Sequence, residues 1–251
     1  MDENLIIRYI YHSGFALEFN DKIIIFDYYR GQLPKNPKDK DVIFVVSHSH
    51  YDHFNDKIFD YDKATNIKYI VSQDVYDQIM NFKVDGNIIY LDDDLERQKK
   101  MVNSDISVLK KGQTVSAFGI DFTGFGSTDK GISIYMQASR LFIFFAGDLN
   151  NWIFPDDGEE KRRQMQKFFS KEIDRLDHID IAFFPVDPRL EENYDLGVNE
   201  FMEKTHPKVL FPMHFTKDPS VIDKFVSEHS YPGSRIIALK NEGETFKIII
   251  R

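Results

Sequence analysis

Short apolar runs separated by polar turns and loops fill the first half of the chain. In the second half such runs are mixed with amphipathic stretches. Residues 5–10, 14–19 and 22–26 are rich in β-branched and aromatic side chains, which predicts three strands, with Asn20-Asp21 as a tight turn. Residues 29–41 carry Gly31, prolines and lysines and read as a polar loop. Residues 42–46 are continuously apolar, the pattern of a strand buried on both faces. A strand at 67–71 is followed by Ser72, an N-cap for a helix to about residue 82 with Val75, Tyr76, Ile79 and Met80 on one face.

Further strands are expected at 88–91, 114–117, 120–123, 131–137 and 141–145. A helix over 159–176 places Met165, Phe168, Phe169, Ile173 and Leu176 on one side. A strand at 181–184, a helix at 199–204 and a strand at 209–211 come next. Asp218-Pro219 opens a helix that buries Val221, Ile222, Phe225 and Val226, and strands at 235–239 and 245–250 close the chain. No composition shift or repeat marks a boundary, so the expectation is one α/β domain over 1–251, sheets inside and helices outside.

Composition narrows the function classes. The 251 residues suffice for a substantial core, and 42% hydrophobic residues exclude a disordered chain. With no cysteine there is no disulfide, thiolate zinc site or cysteine nucleophile. No apolar run is long enough to span a membrane, and MDENLIIRYI lacks a signal-peptide layout, so the expected location is cytoplasmic. A net charge of −9 makes nucleic acid a poor partner. The small basic groups at Lys35, Lys38 and Lys40, at Arg97, Lys99 and Lys100, and at Lys110 and Lys111 read as solvated faces. The expected partner is a small-molecule substrate, and the sequence leaves the oligomeric state open.

The chemistry concentrates in residues 47–53, Ser-His-Ser-His-Tyr-Asp-His, directly after the buried run 42–46. Three of the eight histidines fall within these positions. On an extended chain His48 and His50 point to the same side, and a turn would bring Asp52 and His53 back over them. Imidazole nitrogen and carboxylate oxygen bind zinc at about 2.0–2.2 Å and suit other borderline divalent ions.

This segment resembles the HxHxDH signature of the metallo-β-lactamase superfamily. HSGFALEF with IIIFDYY is similar to the opening hairpin of that superfamily's UlaG-like, lactonase-like branch of metal-dependent hydrolases. The resemblance covers essentially the whole chain and implies an αββα four-layer sandwich with a metal site at one edge. Asp148, in FFAGDLN, matches the aspartate that bridges two metals, and His214, in LFPMHF, matches the last metal histidine. The family's turn histidine is missing: residues 125–131 read Phe-Gly-Ser-Thr-Asp-Lys-Gly, with Thr128 or Ser127 in its place. Asp129 supplies an oxygen ligand there, or a water fills the gap, or Asp129 only organises the turn. The implied ligands are His48, His50 and Asp148 for a first site one ligand short. Asp52, His53, His214 and the shared Asp148 make a complete second site. The implied cofactor is one or two divalent ions, Zn²⁺ foremost, with Mn²⁺ and Fe²⁺ open.

The resemblance further implies a hydrolase that attacks a small or medium ester-like bond, phosphodiester or lactone, with metal-activated water. Asp52 is then the catalytic residue, ligating metal and orienting the nucleophile. The alternatives are a nuclease of the same superfamily, or a non-catalytic member that binds a metabolite or partner. An oxygen-reducing di-iron member would need glutamate where His50 stands. His12, in the first hairpin, is a second-layer residue, a proton shuttle or a core histidine. Asn150 and Asn151 follow Asp148 and could line the pocket, while Trp152 either contacts substrate or packs. Asp187 and Arg189 hold the pocket-lining position after 181–184; Arg189 clamps an anion or makes a surface ion pair. Asp27 is expected to hold the metal loop by hydrogen bonds.

Overall fold

A computed structural model describes residues 3–35, 37, 39–80, 99–216 and 218–250. The chain divides into two compact units, Met1–Leu109 with Thr245–Arg251, and Lys110–Glu244. Among the described residues each unit is built on one seven-stranded sheet.

The first unit holds β1 (Glu3–Tyr11), β2 (Gly14–Phe19), β3 (Lys22–Phe26), β4 (Asp41–Val46), β5 (Ile67–Ser72), β6 (Ile106–Leu109) and β14 (Thr245–Ile250), in the order β14-β1-β2-β3-β4-β5-β6. Pairing is antiparallel from β14 through β3 and parallel from β3 through β6. Asn20 takes a φ of 50° in the tight turn that joins β2 to β3, a conformation asparagine tolerates. Both faces of this sheet are buried. Leu5, Ile7, Phe15, Leu17, Ile24, Phe26, Ile43 and Val45 line one. Ile23, Ile25, Val42, Phe44 and Val46 line the other, packed with Phe54, Ile58, Phe59 and with Val75 and Ile79 of α1 (Gln73–Met80). The continuous apolar run of β4 is the consequence.

The second unit holds β7 (Thr114–Ala117), β8 (Ile120–Phe125), β9 (Ser133–Ala138), β10 (Leu141–Phe145), β11 (Ile181–Pro185), β12 (Val209–Met213) and β13 (Arg235–Ile236), ordered β13-β12-β11-β10-β9-β8-β7. It repeats the scheme of the first: three antiparallel pairings from β7 to β10, then three parallel ones to β13. Its helices are α2 (Glu159–Ile173), α3 (Leu196–Thr205) and α4 (Ser220–Glu228). Phe201 of α3 stacks on Phe144 and Phe184 at 5.5 and 4.5 Å, and Phe169 of α2 meets Phe184 edge-on at 6.1 Å. Aromatic rings thus fasten the helices to β10 and β11.

Some expectations shift. The strand expected over 235–239 ends at Ile236, and the helix expected to 176 ends at Ile173. β6 escaped the sequence reading because its residues are mostly half-buried and run into Lys110-Lys111. Phe168 is 45% exposed because α2 turns Phe169, Glu172 and Ile173 inward instead. The run at 88–91 and the end of the first helix beyond Met80 lie outside the described residues. Among the described residues no helix is long and apolar enough to cross a membrane.

The candidate residues share one topological position. Asp27 follows β3, residues 47–53 follow β4, Asp148 follows β10, Asp187 follows β11 and His214 follows β12. Each leaves the carboxyl end of a strand with a parallel neighbour, where α/β sheets place their sites.

Candidate metal centre

In the first unit the chain leaves β4 extended and then turns, with the N–H groups of His53 and Phe54 both donating to the carbonyl of His50 at 3.0 Å. The turn folds the His53 ring back to 4.1 Å from that of His48, and His48 lies 4.6 Å from His50. His48 and His53 are fully buried and His50 is half-buried. His48 Nε2 and His50 Nδ1 are 3.0 Å apart. His12, Asp52 and His53 each offer an atom within 4.8 Å of the others. Within that group His12 Nε2 lies 3.4 Å from Asp52 Oδ2.

Asp27 organises this loop. Its Oδ1 accepts from the Ser47 N–H at 2.7 Å, and its Oδ2 accepts from Ser47 Oγ at 2.6 Å and from His53 Nδ1 at 2.6 Å. The proton of His53 is therefore held on Nδ1, which leaves Nε2 as an acceptor. Ser47 gives its only proton to Asp27, so at the 2.9 Å contact with His48 it can only accept. His48 too then carries its proton on Nδ1 and presents Nε2 as an acceptor. One buried carboxylate sets the tautomer of two imidazoles, which agrees with the holding role expected for Asp27. A second carboxylate was missed: Asp74, in the first turn of α1, accepts from the Ser49 N–H at 2.8 Å and from Ser72 Oγ at 2.5 Å. Burial opposes its ionisation, and the Ser72 and Ser49 bonds overcome that and hold its carboxyl below the usual range. Its only sequence signal is a serine-initiated helix with an acid in the first turn.

The second unit repeats the device. His214 Nδ1 lies 2.8 Å from Asp187 Oδ2, so the proton again sits on Nδ1 and Nε2 is an acceptor. Nε2 lies 3.5 Å from Asp148 Oδ1. Asp187 also accepts from the Arg189 N–H at 2.8 Å and from the Arg189 guanidinium, at 2.8 Å for Nε. Burial works against its ionisation, yet His214 and Arg189 hold its carboxyl down at about 2. The oxygens of Asp187 are thus engaged with His214 and Arg189. Trp152 is buried; its Nε1 donates to the carbonyl of Asp148 at 2.8 Å and its ring meets His214 edge-on at 5.7 Å. Packing that positions Asp148 and His214 is what the tryptophan does here.

The turn without the family's histidine has a defined job. Thr128 Oγ1 donates to the carbonyl of Asn150 at 2.5 Å and accepts from the Asn150 N–H at 2.9 Å. It pins the segment after Asp148 and uses its only proton to do so. Ser127 Oγ accepts from the Asp129 N–H at 3.2 Å, and Asp129 is exposed. The Asn150 amide is fully buried against Gly197, where an added Cβ would come to 1.9 Å from its Oδ1. Asn151 Nδ2 donates to Gln166 Oε1 on α2 at 2.6 Å.

Strain collects at the same residues. Among the described residues, three of the eight non-glycine residues with positive φ are His12 (56°), Asp27 (41°) and His214 (67°). Such conformations cost about 1–2 kcal/mol each and persist where the surroundings over-determine them.

The donor set fits a divalent cation. His214 Nε2 and Asp148 Oδ1, both acceptors, face each other at 3.5 Å, and the Nε2 atoms of His48 and His53 are likewise presented as acceptors. Acceptors as close as His214 Nε2 and Asp148 Oδ1 repel unless positive charge joins them. Neutral imidazoles and carboxylates are the ligands borderline divalent ions take.

Known structures share this fold. A metallo hydrolase, Igni18, from the archaeon Ignicoccus hospitalis superposes with a TM-score of 0.61 at 17% identity, covering 98% of each chain. The metallo-β-lactamase fold protein YhfI from Bacillus subtilis gives 0.63 at 11% identity over 98% of this chain and 100% of its own. The diiron β-hydroxylase CmlA from Streptomyces venezuelae gives 0.61 at 12% identity over 98% of this chain and 54% of its own. No curated protein sequence matches the chain. The β-lactamase superfamily domain model matches residues 6–214, across both units. On that match, and with two mixed sheets flanked by helices, the chain belongs to the β-lactamase superfamily and has the α/β metallo-β-lactamase fold.

Proposed function

We propose that the protein is a metal-dependent hydrolase of small or medium ester-like substrates, phosphodiester or lactone, of the UlaG-like, lactonase-like branch. The observation that carries the reading is the paired carboxylate–imidazole device. Asp27 on His53 and Asp187 on His214 each lock the proton on Nδ1 and turn Nε2 outward as a ligand. A merely structural histidine needs no such arrangement at the carboxyl ends of parallel strands in both units.

In this reading, which follows the resemblance, His48, His50 and Asp148 would hold one ion, and Asp52, His53 and His214, with Asp148, would hold a second. Zn²⁺ is the foremost candidate for these nitrogen and oxygen ligands, with Mn²⁺ and Fe²⁺ as competitors. A bound divalent ion supplies Lewis acidity and lowers the pKa of water toward neutrality. Asp52 is the catalytic residue, orienting the attacking water through its carboxylate. His12, 3.4 Å from Asp52, takes the proton onward. Arg189, held in place by Asp187, presents the partly exposed part of its guanidinium to an anionic group.

The test is metal content after purification without chelator, combined with turnover of bis-p-nitrophenyl phosphate, a lactone panel and a labelled RNA, with and without Zn²⁺ or Mn²⁺. Metal uptake and turnover of an ester or lactone, both abolished by chelator, are the expected result. RNA cleavage alone would move the assignment to a nuclease. Metal content near zero with no turnover would overturn it for a non-catalytic binding protein. Thr128 favours that second reading, because it stands where the family keeps a ligand histidine and its proton is committed to Asn150.

A further inference from the structure

Beside the motif stands a group of aromatic side chains that the hydrolytic chemistry does not use. Tyr51, between His50 and Asp52, is 72% exposed, the most exposed of the large apolar side chains described. Its ring meets that of Tyr29 edge-on, 5.9 Å away at 82°. Tyr29 in turn lies 6.1 Å from Tyr11, and Tyr11 lies 6.4 Å from the ring of His12. The Arg30 guanidinium sits 3.7 Å over the Tyr11 ring. The three tyrosines therefore form a series of neighbouring rings from His12, the partner of Asp52, to the residue before Asp52 in the chain.

A solvent-facing turn position is satisfied by any small polar residue. Tyr51 instead leaves most of a ring in water, within the histidine motif itself and open to a flat group. Tyr29 meets that ring edge-on. Tyrosine offers a large, stiff, amphipathic face with two side-chain torsions, so little entropy is lost when a flat group lies against it. The cation over Tyr11 holds the far end of the row in place. In the chain the ring stands between His50 and Asp52, two of the residues read as holding metal, so a flat group on a molecule bound there lies within its reach.

We propose that Tyr51, backed by Tyr29 and Tyr11, stacks a planar aromatic group of the substrate, so that the ester cleaved carries an aryl or similarly flat substituent. This deepens the hydrolase reading and rests on it.

Phenylphosphonate and methylphosphonate, which carry the same anionic head and differ in the flat group, are titrated calorimetrically. The proteins are the metal-loaded and chelator-treated wild type, Tyr51→Ala and Tyr51→Phe, with metal content measured on each sample. Wild type is expected to bind phenylphosphonate about tenfold more tightly than methylphosphonate, the scale of one aromatic stacking contact. Tyr51→Phe keeps that ratio, and Tyr51→Ala brings it to about one while its affinity for methylphosphonate stays unchanged. Equal affinities in wild type, an undiminished ratio in Tyr51→Ala, or no binding of either probe in either form overturns the proposal. Metal uptake with equal affinities refutes the tyrosine row and leaves the hydrolase standing. A phenyl preference in protein that takes up no metal supports the row and refutes the hydrolase.

Discussion

Asp27→Asn keeps the number of non-hydrogen atoms and should separate the metal chemistry from the fold. Asp27 Oδ2 accepts two bonds, from Ser47 Oγ and His53 Nδ1, and Oδ1 accepts one, from the Ser47 N–H. In the variant the amide oxygen keeps the Ser47 N–H bond, and its NH₂ group replaces Oδ2. Its two protons then point at Ser47 Oγ and His53 Nδ1. Ser47 becomes an acceptor there and turns its own proton to His48 Nδ1, 2.9 Å away. Both imidazoles must move their protons to Nε2, so both potential ligand atoms become donors. The backbone tolerates the change, since asparagine adopts the 41° φ of Asp27 as readily as aspartate does.

The bond count at the loop is preserved. The stability loss is then the difference between charge-assisted and neutral hydrogen bonds, about 1–2 kcal/mol, or about 2–8 °C in Tm for a chain of this size. Metal affinity, measured by competition with a chromophoric chelator, falls by about 10–100-fold or more. Asp27→Ala leaves the buried Ser47 N–H without its acceptor and strains the backbone, so it costs about 3 kcal/mol or more and loses metal as well. Nitrogen-15 NMR reads the tautomers of His48 and His53 directly. An Asp27→Asn protein that binds metal as tightly as wild type, or keeps both protons on Nδ1, would refute the reasoning.

Two further outcomes follow from the second unit. Glycine to alanine in a helix ordinarily gains up to about 1 kcal/mol, but Gly197→Ala should lose about 3 kcal/mol or more in urea unfolding. The new Cβ would meet the fully buried Asn150 Oδ1 at 1.9 Å and the Asn151 backbone nitrogen at 2.8 Å, and a neutral or stabilising result would show that this contact gives way. Asp180 is opposed by burial, yet bonds from Lys208 and from the Phe142 N–H hold its carboxyl below 3.8. A depressed carboxylate stabilises the fold fully above the unfolded-chain pKa, and that contribution disappears as pH falls through the folded value. Asp180→Asn should therefore lower Tm at neutral pH and flatten the acid limb of Tm against pH. An unchanged acid limb would exclude Asp180 as a contributor.

The sequence alone determined what is local. Runs rich in β-branched and aromatic residues marked most strands, and the continuous apolar run of β4 announced a strand buried on both faces. The crowding of histidines right after it located the metal motif, because a strand end and a turn suffice to fold His53 back over His48. Helix faces were read less well: α2 exposes Phe168 and buries Glu172, since a charged residue that finds Lys111 can go inward. The sequence suggested Asp27 as a support of the metal loop, but only the tertiary structure decided which atoms each supporting group engages. Asp27 reaches His53 across 26 residues, Asp187 reaches His214 across 27, and Thr128 reaches Asn150 across 22. The two carboxylate–imidazole pairs meet because parallel pairing sets the ends of β3 and β4, and of β11 and β12, side by side. That neighbour relation is fixed by the order of strands in the sheet, and no periodicity along the chain encodes it.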